Sequence, residues 1–130
     1  MNKLIPLIRI LYGLIFVVFG LNGFTSLIPI PPMGEQANQF LKALIATGYM
    51  LPLWKSIEIF SGLALIFNFF TPAALLFLAP VVVNIFFFHV YLDKDHVWLG
   101  ILLGLIHLFL MIKNKESFLP LLTLKKRTHD

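Results

Sequence analysis

Four long, predominantly apolar stretches, approximately residues 4–24, 51–70, 72–92 and 97–112, take up most of this 130-residue chain. Each is close to the ~20 residues that a helix needs to cross the hydrocarbon core of a bilayer. With 59% hydrophobic and only 12% charged residues, the chain has too little polar surface to cover a water-soluble core of this size. Little length is left for an extramembrane domain. The expected architecture is therefore all-α: one membrane domain over residues 1–130, a transmembrane four-helix bundle with a short amphipathic interfacial helix between the first and second spans.

The connections define that plan further. The first run, Leu4 to Phe24, starts with a short basic stretch like a signal peptide, but its apolar part is too long and no small-x-small cleavage pattern follows. It reads as a retained first helix. In TSLIPIPPMG, Pro29, Pro31 and Pro32 prevent a continuous helix. Residues 35–47, EQANQFLKALIAT, place Ala37, Phe40, Leu41, Leu44 and Ile45 at helical spacing, too short a segment to span and suited to lying at the interface. Pro52 is acceptable in the first turn of the second span. Thr71 and Pro72 start the third span almost at once, which makes the second and third antiparallel neighbours. Asp93 to His96 form the next turn, with Asp95 the expected N-cap of the fourth span. Residues 113–130 read as a basic tail returning to water, with SFLPLLTL resting on the lipid surface.

Charge sets the orientation. Four spans put both termini on one side, with Lys3, Arg9, Lys113, Lys115, Lys125, Lys126 and Arg127, against Lys42, Lys55 and Lys94 on the other. Positive residues favour the cytoplasm, so both termini are expected there. Tyr49, Trp54, Tyr91 and Trp98 fall at the expected outer boundary, where amphipathic rings prefer to sit. The net charge of +4 is scattered except for the terminal Lys125, Lys126 and Arg127, a pattern that suits anionic lipid rather than nucleic acid. There are no cysteines, which removes thiolate metal sites, iron–sulfur clusters and thiol–disulfide exchange.

A few polar residues enter the spans. By depth, Asn22, Lys55 and His89 lie near the outer boundary, Glu58 and Asn84 a turn or two deeper, and Arg9 and His107 in the inner half. A charge near the middle of a span costs about 2.5–3.5 kcal/mol on insertion scales, so partners are expected. Lys55 precedes Glu58 by three residues and shares its face; Arg9 is a candidate counter-charge reaching up toward Glu58. Arg9, Asn22, Lys55, Glu58, Asn84 and His89 are thus the candidate buried polar or ligand-binding cluster, open to a structural or a functional reading. Gly13 and Gly20 lie on the face of Arg9, and Gly100 and Gly104 on that of His107, as small residues that admit a neighbouring helix. His89 and His107 differ by about 10 Å in depth, which argues against a bis-histidine haem, and no further ligands accompany them for zinc. No metal site and no enzyme signature is legible.

The arginine-bearing first helix IRILYGLIFVVFGLNGF, the proline-containing first loop, ATGYMLPLWKSIEIFSGLALI and above all LAPVVVNIFFFHVYLD resemble the DoxX family of small four-helix bacterial membrane proteins, over residues 7 to about 112. The resemblance implies a four-helix bundle in the bacterial plasma membrane and a connection with respiratory or oxidative-stress redox. It places Arg9, Asn22, Glu58, Asn84 and His89 at matching positions. Family members often carry lysine after the asparagine of the first helix, where this chain has Gly23.

Three functional readings follow. In the leading one the protein is an accessory, non-enzymatic component with no cofactor of its own, whose outward-opening polar pocket binds a small amphipathic ligand, a quinone or a lipid. In the second it is a membrane subunit of a quinone-coupled oxidoreductase acting on a sulfur compound, with a redox partner protein and with His89 or Glu58 passing protons. In the third it is a scaffold or homo-oligomer assembled through Gly100 and Gly104.

Overall fold

A computed structural model describes residues 3–123. It contains α1 (Leu4–Thr25), α2 (Glu35–Ala46), α3 (Met50–Phe67), α4 (Thr71–Tyr91), a 3-10 turn (Lys94–His96), α5 (Val97–Lys113), the short α6 (Lys115–Phe118) and a second 3-10 turn (Leu119–Leu122). α1, α3, α4 and α5, the last with the turn before it, are long and apolar enough to cross a membrane. They form the four-helix bundle that the hydropathy pattern requires. α1 packs on α3, α3 on α4 and α4 on α5, while α5 and α1 touch only sparsely. The proline loop, α2 and the turn Lys94–His96 lie at one end of the bundle, the loop end. Lys3, the α3–α4 turn and α6 lie at the other, the tail end.

Tyr12, Phe16, Leu65, Leu75, Leu78 and Leu110 are the largest fully buried side chains and fill the interior. Large apolar residues on every spanning helix, among them Leu7, Leu14, Phe60, Phe77 and Leu105, are exposed. An exterior this apolar has lipid as its natural solvent. Because lipid tails are as apolar as leucine, the helices gain nothing hydrophobic by associating and must rely on close packing and polar contacts.

Glycine supplies the close packing. A Cβ on Gly13 would stand 2.6 Å from the carbonyl oxygen of Gly62, and one on Gly62 would stand 2.6 Å from the carbonyl oxygen of Gly13. α1 and α3 therefore cross backbone against backbone. Gly20 extends the seam, since a Cβ there would meet the Ile59 side chain at 2.6 Å and the Lys55 carbonyl oxygen at 3.1 Å. On α5, a Cβ on Gly100 would lie 3.1 Å from the Cα of Phe86, whereas Gly104 has nothing within 4 Å. Gly100 is thus used inside the bundle, against α4, and only Gly104 leaves an open notch. Gly104→Ala should leave stability unchanged or raise it by up to about 1 kcal/mol, while Gly100→Ala should lower it measurably; unfolding of both variants in mixed micelles checks this.

Two boundaries differ from expectation. α3 stops at Phe67 rather than near residue 70, because Asn68 takes a left-handed conformation (φ 57°) and the Phe69 N–H donates to the Ala64 carbonyl at 2.9 Å. This is a Schellman-type end with asparagine in the position that glycine usually holds. The Thr71 hydroxyl then donates to Asn68 Oδ1 at 2.7 Å and ties the short turn together. Asp95 does not cap α5: His96 occupies the N-cap position without a side-chain cap bond, and Asp95 is exposed on the 3-10 turn. The conformation there is held by Asp93, whose carbonyl accepts from the His96 N–H at 3.2 Å.

Pro80 sits on the exposed side of an uninterrupted α4. α2 covers the loop end, with Ala37 fully buried and the Phe40 ring 5.6 Å from that of Phe88. At the tail end Phe118 packs against the core, leaving Leu119, Leu121 and Leu122 exposed. The basic cluster Lys125, Lys126 and Arg127 lies outside the described residues.

Candidate functional site

Glu58 is 3% exposed, on the inward face of α3 with Ser61 and Leu65. Lys55 Nζ donates to its Oε2 at 3.3 Å, and Trp54 precedes Glu58 by one turn of the same helix. The three-residue spacing thus makes the local ion pair expected of it. The lysine stem reaches that position across α1: a Cβ on Gly23 would lie 2.6–2.8 Å from Cγ, Cδ and Cε of Lys55. Where the resemblance leads one to expect a lysine on the first helix, this chain has a bare backbone with a lysine from α3 lying over it.

Arg9 does not meet Glu58. Its Nε donates to the Leu65 carbonyl at 2.9 Å. That carbonyl is in the last turn of α3, and its usual partner, the Phe69 N–H, is engaged by Ala64. A guanidinium here satisfies an orphan acceptor and faces the negative end of the helix dipole. The register explains why the expected clamp fails. Gly13 and Gly62 face each other; Glu58 is four residues from that level toward the loop end and Arg9 four residues the other way. At 1.5 Å per residue they are about 12 Å apart in depth.

Asn22 is also occupied. Its Oδ1 accepts from the Ile28 N–H at 2.8 Å and its Nδ2 donates to the Ile28 carbonyl at 3.1 Å, so it clamps the end of α1 to the proline loop. Asn84, half-buried on α4, joins neither pair. The residues expected to share one pocket are held at separate places, largely by backbone groups or by neighbours in sequence.

Two further groups were not legible as such. At the loop end His89, Asp93 and His96 cluster: Asp93 is 6% exposed, both its oxygens lie 3.0 Å from His96 Nδ1, and Oδ2 lies 3.3 Å from His89 Nδ1. Deeper toward the tail end, the Tyr12 hydroxyl lies 2.9 Å from His107 Nδ1 and 3.4 Å from the Leu103 carbonyl. With the hydroxyl donating, Nδ1 of a neutral imidazole accepts and Nε2 carries the proton; Nε2 is buried without a hydrogen-bond partner. His107, expected to serve packing, thus joins α5 to α1. Tyr12 could have been found from its place on the face of Arg9, Gly13 and Phe16, one turn on from Arg9.

Beside this pair the sparse contact between α1 and α5 leaves a groove of about 370 Å³, open to the lipid side and lined by Ile8, Leu11, Tyr12, Ile15, Leu105 and Phe109 among others. A second hollow of about 400 Å³ lies between the proline loop and α2, with Asn38 and Lys42 on its rim. Glu58, Asn84 and His89 line neither. Among the described residues no three His, Asp or Glu side chains are arranged to hold a metal ion.

The DoxX family model matches residues 4–90, that is α1 to the last turn of α4, and so takes in Arg9, Asn22, Lys55, Glu58, Asn84 and His89 but not α5. No curated protein and no solved structure matches the chain.

Proposed function

The chain belongs to the DoxX family, and from that premise we propose that it is an accessory, ligand-binding protein of the bacterial plasma membrane, with both termini in the cytoplasm. Its ligand is a long-chain amphipathic molecule, a quinone or a lipid, taken up sideways from the bilayer into the groove between α1 and α5.

The observation that supports this reading is the groove itself. It is of ligand size, as small-molecule sites of 300–1,000 Å³ go, it is almost wholly apolar, and it lies where two spanning helices pack least. The Tyr12–His107 pair beside it supplies a polar contact at one level of an otherwise hydrocarbon wall. A tail in the groove with its head near that pair satisfies both the apolar lining and the few polar groups, the usual division of labour in such sites. The outward-opening polar pocket built from Asn22, Glu58, Asn84 and His89 has less support, since Asn22 and Glu58 are already engaged within the protein.

The test is retention. Purified in a mild detergent, the protein should carry a quinone or lipid in near-stoichiometric amount, seen by mass spectrometry of the intact complex. Leu105 is exposed and lines the groove, so Leu105→Trp should fill the groove without disturbing the core and abolish retention. A protein that emerges empty, or retention untouched by Leu105→Trp, would refute the proposal.

A further inference from the structure

We infer that His96, Asp93 and His89 form a proton-entry site at the loop end of the bundle, taking a proton from water at His96 and delivering it to the buried His89. The inference is independent of the α1–α5 groove and of its ligand.

Three facts carry it. One member meets water and two do not: the His96 side chain is 29% exposed, whereas those of Asp93 and His89 are buried, at 5% and 9%. One atom, Asp93 Oδ2, is shared, at 3.0 Å from His96 Nδ1 and 3.3 Å from His89 Nδ1. And His89 Nδ1, the inner end of the series, is buried with no hydrogen-bond partner. A buried polar atom without a partner costs free energy that a structure ordinarily avoids. Oδ2 of Asp93 is 3.3 Å away but off the line of an N–H on that nitrogen; a small turn of the imidazole brings the two into line, and a proton on Nδ1 then makes it a donor to the carboxylate.

The scaffold keeps the three groups together. Asp93 ends α4, its N–H donating to the Phe88 carbonyl at 3.1 Å, while the His89 ring lies against Gly100, whose bare backbone leaves room for it. Among the described residues the neighbouring elements bring no further buried charge to the cluster. On α4 the neighbouring ionisable residue is Tyr91, which is exposed; on the 3-10 turn Lys94 and Asp95 are exposed; α5 presents Gly100, and α2 contributes Phe40 against Phe88. One carboxylate thus faces two imidazoles, and the first proton taken up is compensated while a second is not.

The transfer balances with no electron moved. His96, neutral with its proton on Nδ1, accepts a proton on Nε2 from hydronium in the aqueous phase, leaving water. The Nδ1 proton passes to Asp93 Oδ2, and from Oδ2 to His89 Nδ1. His96 and Asp93 return to neutral imidazole and carboxylate; the His96 proton is now on Nε2, and the partly exposed ring resets by turning out to water, where Nε2 gives up its proton and Nδ1 takes one. The net result is one proton moved from water to His89.

The protein with ¹⁵N-labelled histidine, in lipid bilayers, allows each ring nitrogen to be followed by NMR. His89 Nδ1 is expected to pass from unprotonated to protonated when the bilayers are taken from alkaline to acidic pH. Asp93→Asn should remove that charging. His96→Phe should leave the end state but slow exchange of the His89 proton with water by an order of magnitude or more. A His89 that stays neutral throughout, or that charges as fully in Asp93→Asn as in the wild type, would overturn the site. Exchange as fast in His96→Phe as in the wild type would overturn the entry route. If Asp93→Asn does not fold, the wild-type titration and His96→Phe decide the matter.

Discussion

Gly62→Ala is expected to be among the most damaging small substitutions in this protein, although it adds a single methyl group. The new Cβ would lie 2.6 Å from the Gly13 carbonyl oxygen, 2.8 Å from Val17 Cγ2 and 3.0 Å from the Val17 backbone nitrogen. Two of these three are backbone atoms of a spanning helix and cannot turn aside as a side-chain end can. α1 and α3 must therefore separate along their whole crossing. Overpacking of a dense core typically costs about 1–3 kcal/mol, and here the upper end is expected, because separation also forfeits dispersion contacts along a seam with no hydrophobic effect to hold it. Gly13→Ala should cost a similar amount by the mirror-image clash. The double variant should cost clearly less than the two together, since helices already parted by the first methyl accommodate the second. Unfolding midpoints for the two single variants, the double variant and Gly104→Ala as a control decide this; additive losses, or a Gly62→Ala as benign as Gly104→Ala, would mean that α1 and α3 are not in backbone contact.

That seam also marks how far the sequence could be read. The number of spans was legible because length and apolarity decide it directly. Gly13 and Gly20 were legible as a small-residue face, but their partner was not: Gly62 has Glu58 and Ile66 at four-residue spacing, so no motif announces it. Lys55 with Glu58 was legible because both sit on one helix with a fixed spacing. Arg9 was legible as pointing inward but not as to its acceptor, a backbone carbonyl freed by the way α3 ends at Asn68. Side-chain chemistry can be read from letters, whereas orphan carbonyls and helix registers exist only once the chain has folded. The same holds for Asp93, which in sequence is one charged letter in a polar turn and in the fold is a buried carboxylate between two imidazoles.

Lys55→Met should be far more harmful than Glu58→Gln, even though each breaks the same ion pair. Glu58 is 4% exposed at its side chain and Lys55 23%. Removing the lysine strands a carboxylate in the bundle, a change that typically costs about 3–5 kcal/mol for a buried pair. Removing the charge of Glu58 leaves a lysine that can lift its ammonium toward the headgroups while its stem stays on the bare backbone of Gly23. Once Glu58 is glutamine there is no buried charge left to compensate, so Lys55→Met added to Glu58→Gln should cost much less than Lys55→Met alone. Stability of the two single variants and the double variant, measured in one detergent system, gives the coupling directly. Equal losses from the two single variants would show that Glu58 does not depend on Lys55 for its place inside the bundle. The asymmetry also decides which variant can inform on function. Glu58→Gln is expected to keep the fold, so a change in ligand retention or proton uptake in that variant reports on the carboxylate itself, whereas a loss in Lys55→Met would report mainly on a bundle weakened by an unpaired charge.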